Sequence, residues 1–320
     1  MTPVPRPATE TLADIDLPLP DRRVGKVRAS WQLPDQRRLF ITTDRLSAFD
    51  RIVAVVPFKG QVLNQLAAWW FARTSDIVDN HVLSLPDPNA LIGIEARPLP
   101  VEVVVRGVIT GVTDTSLWRQ YADGARVIYG HRLPDGLRKN EVLPQALITP
   151  TTKGEAGAHD EPLSVTDVVD RGLVDRKLWS AVCEAALAVF ARGQQIAAEA
   201  GLILADTKYE FGLAPDGRLL LIDEVHTPDS SRFWEADSYG DRMAHDTEPE
   251  SLDKELVRQA LSATGYRGNG EPPELESSVW EQTSVRYRRA FERITGTPFI
   301  PGITPIIPRI ESNLRAAGVL

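Results

Sequence analysis

Apolar residues fall into two rhythms along the chain. Short runs rich in β-branched residues, LFITTDR at 39–45 and RIVAVVPF at 51–58, predict strands. VEVVVRGVITG at 101–111 predicts another, with Arg106 as its interior cation. Apolar residues three and four apart predict helices over 62–74 and, longest, over 175–200, where Leu178, Val182, Ala185, Ala186 and Phe190 share a stripe that ends before Gly201. The segments GLILADTKYEFGL, APDG and RLLLIDEV read as two strands joined by a turn, and further helices are expected near 251–262 and 277–294. Strands, a long helix, a hairpin and then more helices make the fold class α+β, since a doubly wound sheet would alternate strand and helix regularly.

The hairpin carries the most chemistry. With a four-residue turn, Leu213 faces Arg218 and Lys208 faces Asp223. Strand alternation then places Asp206, Lys208 and Glu210 on one face, with Asp223 diagonal to Glu210 and within ~8 Å of it. Charges inside a strand otherwise built of Leu, Ile, Tyr and Phe are costly to bury unless they are paired or used. Two carboxylates from adjacent strands suit a hard cation such as Mg²⁺, whose remaining positions go to water and phosphate oxygens. The same pattern suits a solvated edge hairpin with surface ion pairs.

Other strings are also two-sided. Gly25-Lys26-Val27-Arg28 suits a loop laid over phosphates, or a basic surface turn, and it lacks the spacing of a P-loop. Thr227 to Trp234 (TPDSSRFW) reads as an anion cup around Ser230 and Arg232, or as a capped helix start. Arg106 is either an anion ligand or the partner of a buried acid. His159 and Asp160 are neighbours that point apart on an extended chain, so His159 is read as structural.

Composition narrows the classes. In 320 residues, Lys and Arg number 36 against 44 Asp and Glu, a net charge of −8 that argues against a nucleic-acid binder. The proportions are those of an ordinary globular protein, long enough for about two lobes at ~150 residues per domain. The single Cys183 permits no internal disulfide, and its surroundings, AVCEAAL, read as a packed helix in a protein of the reducing cytoplasm. No run approaches the ~18 apolar residues of a membrane span. The first twenty residues, rich in proline and without a signal-peptide core, are expected to be an extended arm or a disordered leader.

Taken together, several strings resemble the phosphoribosylaminoimidazole-succinocarboxamide synthase (SAICAR synthetase) family. They are GKVR at 25–28, TDRLSAFD at 43–50, VEVVVRG at 101–107, LITPTTK and HDEPLS between 147 and 164, LADTKYEFGL at 204–213, IDEVHTPDSSRFW at 222–234 and FERITGTPF at 291–299. The resemblance covers residues 20–300 or so and implies a two-lobed α+β fold, with an ATP cleft distantly similar to those of ATP-grasp enzymes and kinases. The lobes it suggests are a β-rich nucleotide-binding part at 20–100 and an α+β part with the substrate and metal site at 101–320.

It further implies an ATP- and Mg²⁺-dependent ligase that joins L-aspartate to the carboxylate of carboxyaminoimidazole ribonucleotide through an acyl phosphate. No nucleic acid, membrane or obligatory protein partner is implied. Carried over by motif, Gly25, Lys26, Val27, Arg28 and Lys153 lie along the nucleotide phosphates, and Glu210 and Asp223 hold Mg²⁺. Asp206, Lys208 and Arg232 form the catalytic group, while Arg106, Ser230 and Arg232 bind the ribonucleotide. Ser47 and Asp50 face the aspartate. Where the family commonly has a short G-S-G-W loop, this chain has Gly111 to Trp118, with Ser116 and Trp118 in the equivalent roles. A related ligase for a different carboxylate or amine is the alternative that this loop raises, and a catalytically dead nucleotide-binding partner is a third reading.

Overall fold

The structure is a computed structural model that describes residues 10–113, 115–153, 161–268 and 270–320. Two antiparallel sheets make its frame. In the first, Arg23–Val24, Arg28–Leu33, Arg37–Thr42, Ala90–Ile94 and Val82–Asp87 lie side by side in that order. In the second, the order is Glu141–Thr152, Arg97–Ile109, Leu202–Leu213 and Leu219–Ile222. Ser231–Glu235 pairs with the beginning of Leu202–Leu213, which makes that strand the centre of the sheet. The pairings are antiparallel in both sheets, as α+β requires.

Alternation decides what each strand buries. Val101, Val103, Val105, Tyr209 and Phe211 point into the main core, against the Val182, Ala186, Val189 and Phe190 stripe of helix Arg176–Glu199. The residues between them, Glu102, Arg106, Asp206, Lys208 and Glu210, therefore share the opposite face. The expected helix at 62–74 runs Lys59–Thr74 and packs on Ser277–Thr295.

Backbone hydrogen bonds at Leu221 stitch the two sheets together. The Leu221 N–H donates to the Asp79 carbonyl at 2.8 Å, and the His81 N–H donates to the Leu221 carbonyl at 3.3 Å. Segment 79–81 leads directly into the first sheet, so Arg28 of that sheet is carried against Asp223 at the end of the second.

The expected hairpin register needs correction, and two further elements were not foreseen. The hairpin register is shifted by one residue: Ala214 N–H donates to the Arg218 carbonyl at 2.9 Å, so Leu213 faces Leu219 and Ile222 faces Glu210. A three-residue loop closed by Gly217 at φ 87° accounts for the shift, because glycine adopts that left-handed geometry without penalty. Strand Glu141–Thr152 was hidden by Pro144 and Pro150, yet it is an edge strand with its irregularity between Val142 and Leu147, where missing N–H groups are tolerated. Helix Ile306–Ala316 was hidden by Pro308, which falls in its first turn and costs no helical hydrogen bond there. Finally, of the two readings of the first twenty residues, the described residues 10–19 fit the extended arm and not the disordered leader. Leu12, Ile15 and Leu17 are buried with Trp31, Leu39 and Ile41 of the first sheet and with Ile306, Ile310 and Leu314 of that last helix.

This second core predicts that Ile310→Ala, at a fully buried position, lowers unfolding free energy by about 2–5 kcal/mol. Ile307→Ala, at an exposed position on the same helix, should change it by under about 0.5 kcal/mol. Equal effects in urea titrations would mean that the helix does not close the first sheet.

Candidate functional site

The charged face of the central strand divides into two groups. At the Glu210 end, Lys208 Nζ lies 2.6 Å from Glu102 Oε1 and 3.3 Å from Glu210 Oε1, and Lys153 pairs with the other oxygen of Glu210. Arg28 pairs with Asp223 and reaches Glu224 Oε2 at 3.3 Å. Burial favours the neutral form of the Lys208 amine, but Glu210 and Glu102 outweigh it and hold the ammonium above its ordinary pKa. Likewise, burial would raise Asp223, but Arg28, then Lys208 and Lys153, pull it below the usual carboxylate range.

Asp223 reaches this group differently from the expected alternation. Opposite Glu210 stands Ile222, and the ladder ends there. Asp223 then adopts φ 68°, turns off the strand and joins Glu210 among the same cations, Lys153 and Lys208.

At the Asp206 end, the neighbouring strands place Arg106 on one side of Asp206 and Arg232 on the other. Arg106 Nη1 is 3.6 Å from Asp206 Oδ2, Arg232 bonds the same oxygen, and Arg106 Nε donates to Thr149 Oγ1 at 2.8 Å. Ser116 is buried close by. A Cβ on Gly111, which has φ 95°, would lie 2.5 Å from the Ser116 Cβ and 3.8 Å from Arg232 Nη2, so glycine is what lets this loop close on the arginine. Trp118 stacks on Tyr121. Ser230 Oγ accepts from the Thr227 N–H at 3.2 Å, and the Ser230 carbonyl accepts from the Lys208 N–H at 2.9 Å. The TPDSSR segment is thus a loop laced to the central strand and leading into strand Ser231–Glu235, rather than a helix start.

The glycine loop lies at the rim. Gly25 N–H donates to the Arg28 carbonyl, Thr43 N–H donates to the Val27 carbonyl at 2.9 Å, and the exposed Lys26 pairs with Asp50 at 2.5 Å. Ser47 lies on the small hairpin Arg45–Ala48 and Arg51–Val55, opposite Ile52. The structure therefore brings together Arg28, Lys153, Lys208, Glu210 and Asp223 as one group, and Arg106, Asp206, Arg232 and Ser116 as another. Lys26 and Asp50 stand at the edge, and Ser47 lies on the separate small hairpin. His159 and Asp160 lie outside the described residues. Cys183 is half-buried, and burial pushes its thiol up to about 11, as expected of a packing residue.

Sequence reasoning missed Glu102, although its alternation with Val101 and Val103 puts it on the Arg106 face. It also missed Asp229, Lys59 and Tyr287. Lys59 Nζ is 3.0 Å from Asp229 Oδ2, Tyr287 donates to Asp229 Oδ1 at 2.7 Å, and all three are buried. No local pattern announces a buried lysine whose partner lies far along the chain. Nearby, burial and then Glu255 push Asp253 up to about 7, with Arg232 opposing them.

A face of paired acids and bases at the junction of two antiparallel sheets of an α+β fold suits the binding of anions. Comparison with known proteins narrows this. The family model described as SAICAR synthetase matches residues 22–273. A Mesorhizobium japonicum relative is 49% identical over 307 residues, covering 95% of this chain and 98% of that protein. The phosphoribosylaminoimidazole-succinocarboxamide synthase of Legionella pneumophila is 44% identical over 310 residues, covering 95% and 97%. Among solved structures, the SAICAR-synthase of Saccharomyces cerevisiae complexed with SAICAR is 30% identical with a TM-score of 0.76, covering 92% of this chain and 99% of that one. A SAICAR synthetase solved with ADP, 24% identical, shares the fold at a TM-score of 0.67. The chain belongs to the SAICAR synthetase family. It is accordingly a ligase of purine biosynthesis.

The buried acid beside Arg232 predicts a pH effect. A carboxyl whose folded pKa is raised from 3.8 to about 7 contributes stability below pH 3.8 that is lost as pH climbs through 7. Asp253→Asn should therefore lose less stability between pH 4 and pH 8 than the parent chain in denaturant titrations. Parallel pH profiles would refute the buried-acid assignment.

Proposed function

We propose that the charged face performs the family's ligation in this chain: L-aspartate joins the carboxylate of carboxyaminoimidazole ribonucleotide while ATP becomes ADP and phosphate. The observation that carries the reading is the spacing on Leu202–Leu213. Asp206, between two arginines, and Glu210, beside Asp223 and two lysines, stand ~14 Å apart on one face, with Lys208 between them. A two-arginine site suits the anionic ribonucleotide, since guanidinium forks match carboxylate and phosphate oxygens. Ser116 and Ser230 add hydroxyls at its rim. Arg28 and Lys153, with Lys26 and the backbone of Gly25 and Val27, suit the nucleotide phosphates, leaving Ser47 and Asp50 for the aspartate.

Glu210 and Asp223 fit Mg²⁺ on their chemistry. They are hard oxygen donors set among phosphate-binding cations. No group of three or more His, Cys, Asp or Glu side chains that would enclose a metal is found among the described residues. A pair of carboxylates completed by phosphate oxygens is the usual Mg²⁺ arrangement. Bound there, the ion would neutralise phosphate charge.

A carboxylate is a poor acyl donor because oxide would have to leave. In the first step its oxygen attacks the terminal phosphorus of ATP, the bond to ADP breaks, and an acyl phosphate forms. The aspartate amine then attacks the acyl carbon, phosphate departs with that oxygen, and the amine gives up a proton. Neither step needs a covalent nucleophile from the chain. Its contribution is positioning and charge neutralisation by Arg28, Lys153, Lys208, Arg106 and Arg232. Neither alternative gains support: the relatives share the one activity in name, and the cations and carboxylates a dead partner would lack are in place. No helix among the described residues is long and apolar enough to cross a membrane. We place the enzyme in the cytoplasm.

ADP release measured with ATP, Mg²⁺, L-aspartate and the ribonucleotide should require all four and yield the succinocarboxamide. Turnover that ignores omission of the ribonucleotide or aspartate would overturn the substrate assignment. Glu210→Ala and Asp223→Ala should each abolish turnover with thermal unfolding little changed, and parent-level activity at limiting Mg²⁺ in either would remove the metal assignment.

A further inference from the structure

Between strand Leu219–Ile222 and strand Ser231–Glu235 the chain bends sharply twice. Asp223 has φ 68° and His226 φ 46°, left-handed values that residues other than glycine seldom take and that gather where side chains have a task. The bends send neighbouring side chains in different directions. Asp223 meets Arg28, and Val225 enters the main core. His226 is fully buried, shares a hydrogen bond with the Tyr209 hydroxyl and lies against Trp70 with ring centroids 4.6 Å apart.

The remaining residue, Glu224, touches both ends of the charged face. Its Oε2 lies 3.3 Å from Arg28 Nη2 and accepts from the Thr227 hydroxyl at 2.6 Å. Thr227 Oγ1 in turn accepts from the Asp229 and Ser230 N–H groups at 3.2 and 3.3 Å. The start of the TPDSSR loop is therefore wound around the oxygen that Glu224 holds. The two ends of the Arg28 guanidinium also differ. Nη1 faces Asp223, whose side chain is 31% exposed, whereas Nη2 faces Glu224, whose side chain is 11% exposed and already bonded by the fully buried Thr227. One end can change partners, and the other is fixed.

We propose that Glu224 is a positioning residue for both substrates: through Arg28 it orients a cation for the nucleotide phosphates, and through Thr227 it sets the loop that carries Ser230 and leads to Arg232 at the ribonucleotide. This rests on the assignment of Arg28 to the nucleotide and of Ser230 and Arg232 to the ribonucleotide. Unlike Glu210, Glu224 keeps its cation when the nucleotide binds. Asp223 gives way and Glu224 stays.

The test is steady-state kinetics of the full chain as Glu224→Gln, Thr227→Val and Glu224→Ala, with Arg28→Lys as the reference. Glutamine keeps an oxygen for Thr227 and removes the charge facing Arg28. Glu224→Gln should therefore raise the KM for ATP about tenfold, the scale of one hydrogen bond to a charged group, with the KM values for carboxyaminoimidazole ribonucleotide and L-aspartate within about twofold. Valine copies the shape of threonine without its hydroxyl, so Thr227→Val should raise the ribonucleotide KM at least about fivefold, the scale of one neutral hydrogen bond, with the ATP KM within about twofold. Glu224→Ala should raise both, and if it fails to fold the two near-isosteric variants decide. An unchanged or lowered ATP KM in Glu224→Gln while Arg28→Lys raises it, a rise in all three KM values with Thr227→Val, or a rise in only one KM with a folded Glu224→Ala would each overturn the inference. If Arg28→Lys itself leaves the ATP KM unchanged, the nucleotide assignment falls and the inference with it.

Discussion

The face of Leu202–Leu213 that carries Asp206, Lys208 and Glu210 persists because each of those charges has an opposite neighbour held by another strand. Removing charged groups from water is expensive, and the attraction between the partners repays the cost only when geometry and further hydrogen bonds are good. Here the partners come from the whole chain: Glu102 and Arg106 from one neighbouring strand, Arg232 from another, Lys153 from the end of Glu141–Thr152, and Arg28 from the other sheet. Buried pairs of this kind are seldom the most stable filling for a sheet face. Under the proposed function their retention follows from use, since an anion would replace each carboxylate on its cation and a metal would replace the cations on Glu210 and Asp223.

Everything else in the fold serves that face. The reverse side of the same strands is apolar and welded to helix Arg176–Glu199, so the charged side chains stand on a rigid base. The stitch at Leu221 fixes the angle at which the first sheet presents Arg28. The buried side chains of Lys59, Asp229 and Tyr287 tie the TPDSSR loop to the start of one helix and the middle of another, next to Ser230 and strand Ser231–Glu235.

The strength of local patterns explains what could be read beforehand. Alternation along ADTKYEFGL exposed the charged face, and three- to four-residue periodicity located helix Arg176–Glu199 almost to its ends. The hairpin register slipped by one because a four-residue and a three-residue loop differ only in whether Ala214 belongs to the turn or pairs with Arg218. Asp223 reached the expected neighbourhood through its positive φ, a backbone choice that no pattern of side chains discloses. Prolines concealed one strand and one helix that tolerate them at an edge and in a first turn. Partners such as Lys59 and Asp229 are set by tertiary packing alone.

The central claim is that the cations of this face exchange carboxylate partners for nucleotide phosphates, and its most direct test is calorimetric titration with ADP, with and without Mg²⁺, of the parent chain and of Glu210→Gln. With Lys153 released from Glu210, the variant should bind metal-free ADP about tenfold more tightly than the parent, the scale of one charged hydrogen bond, and gain little when Mg²⁺ is added. Equal metal-free affinities, with the full Mg²⁺ gain retained in the variant, would contradict the account.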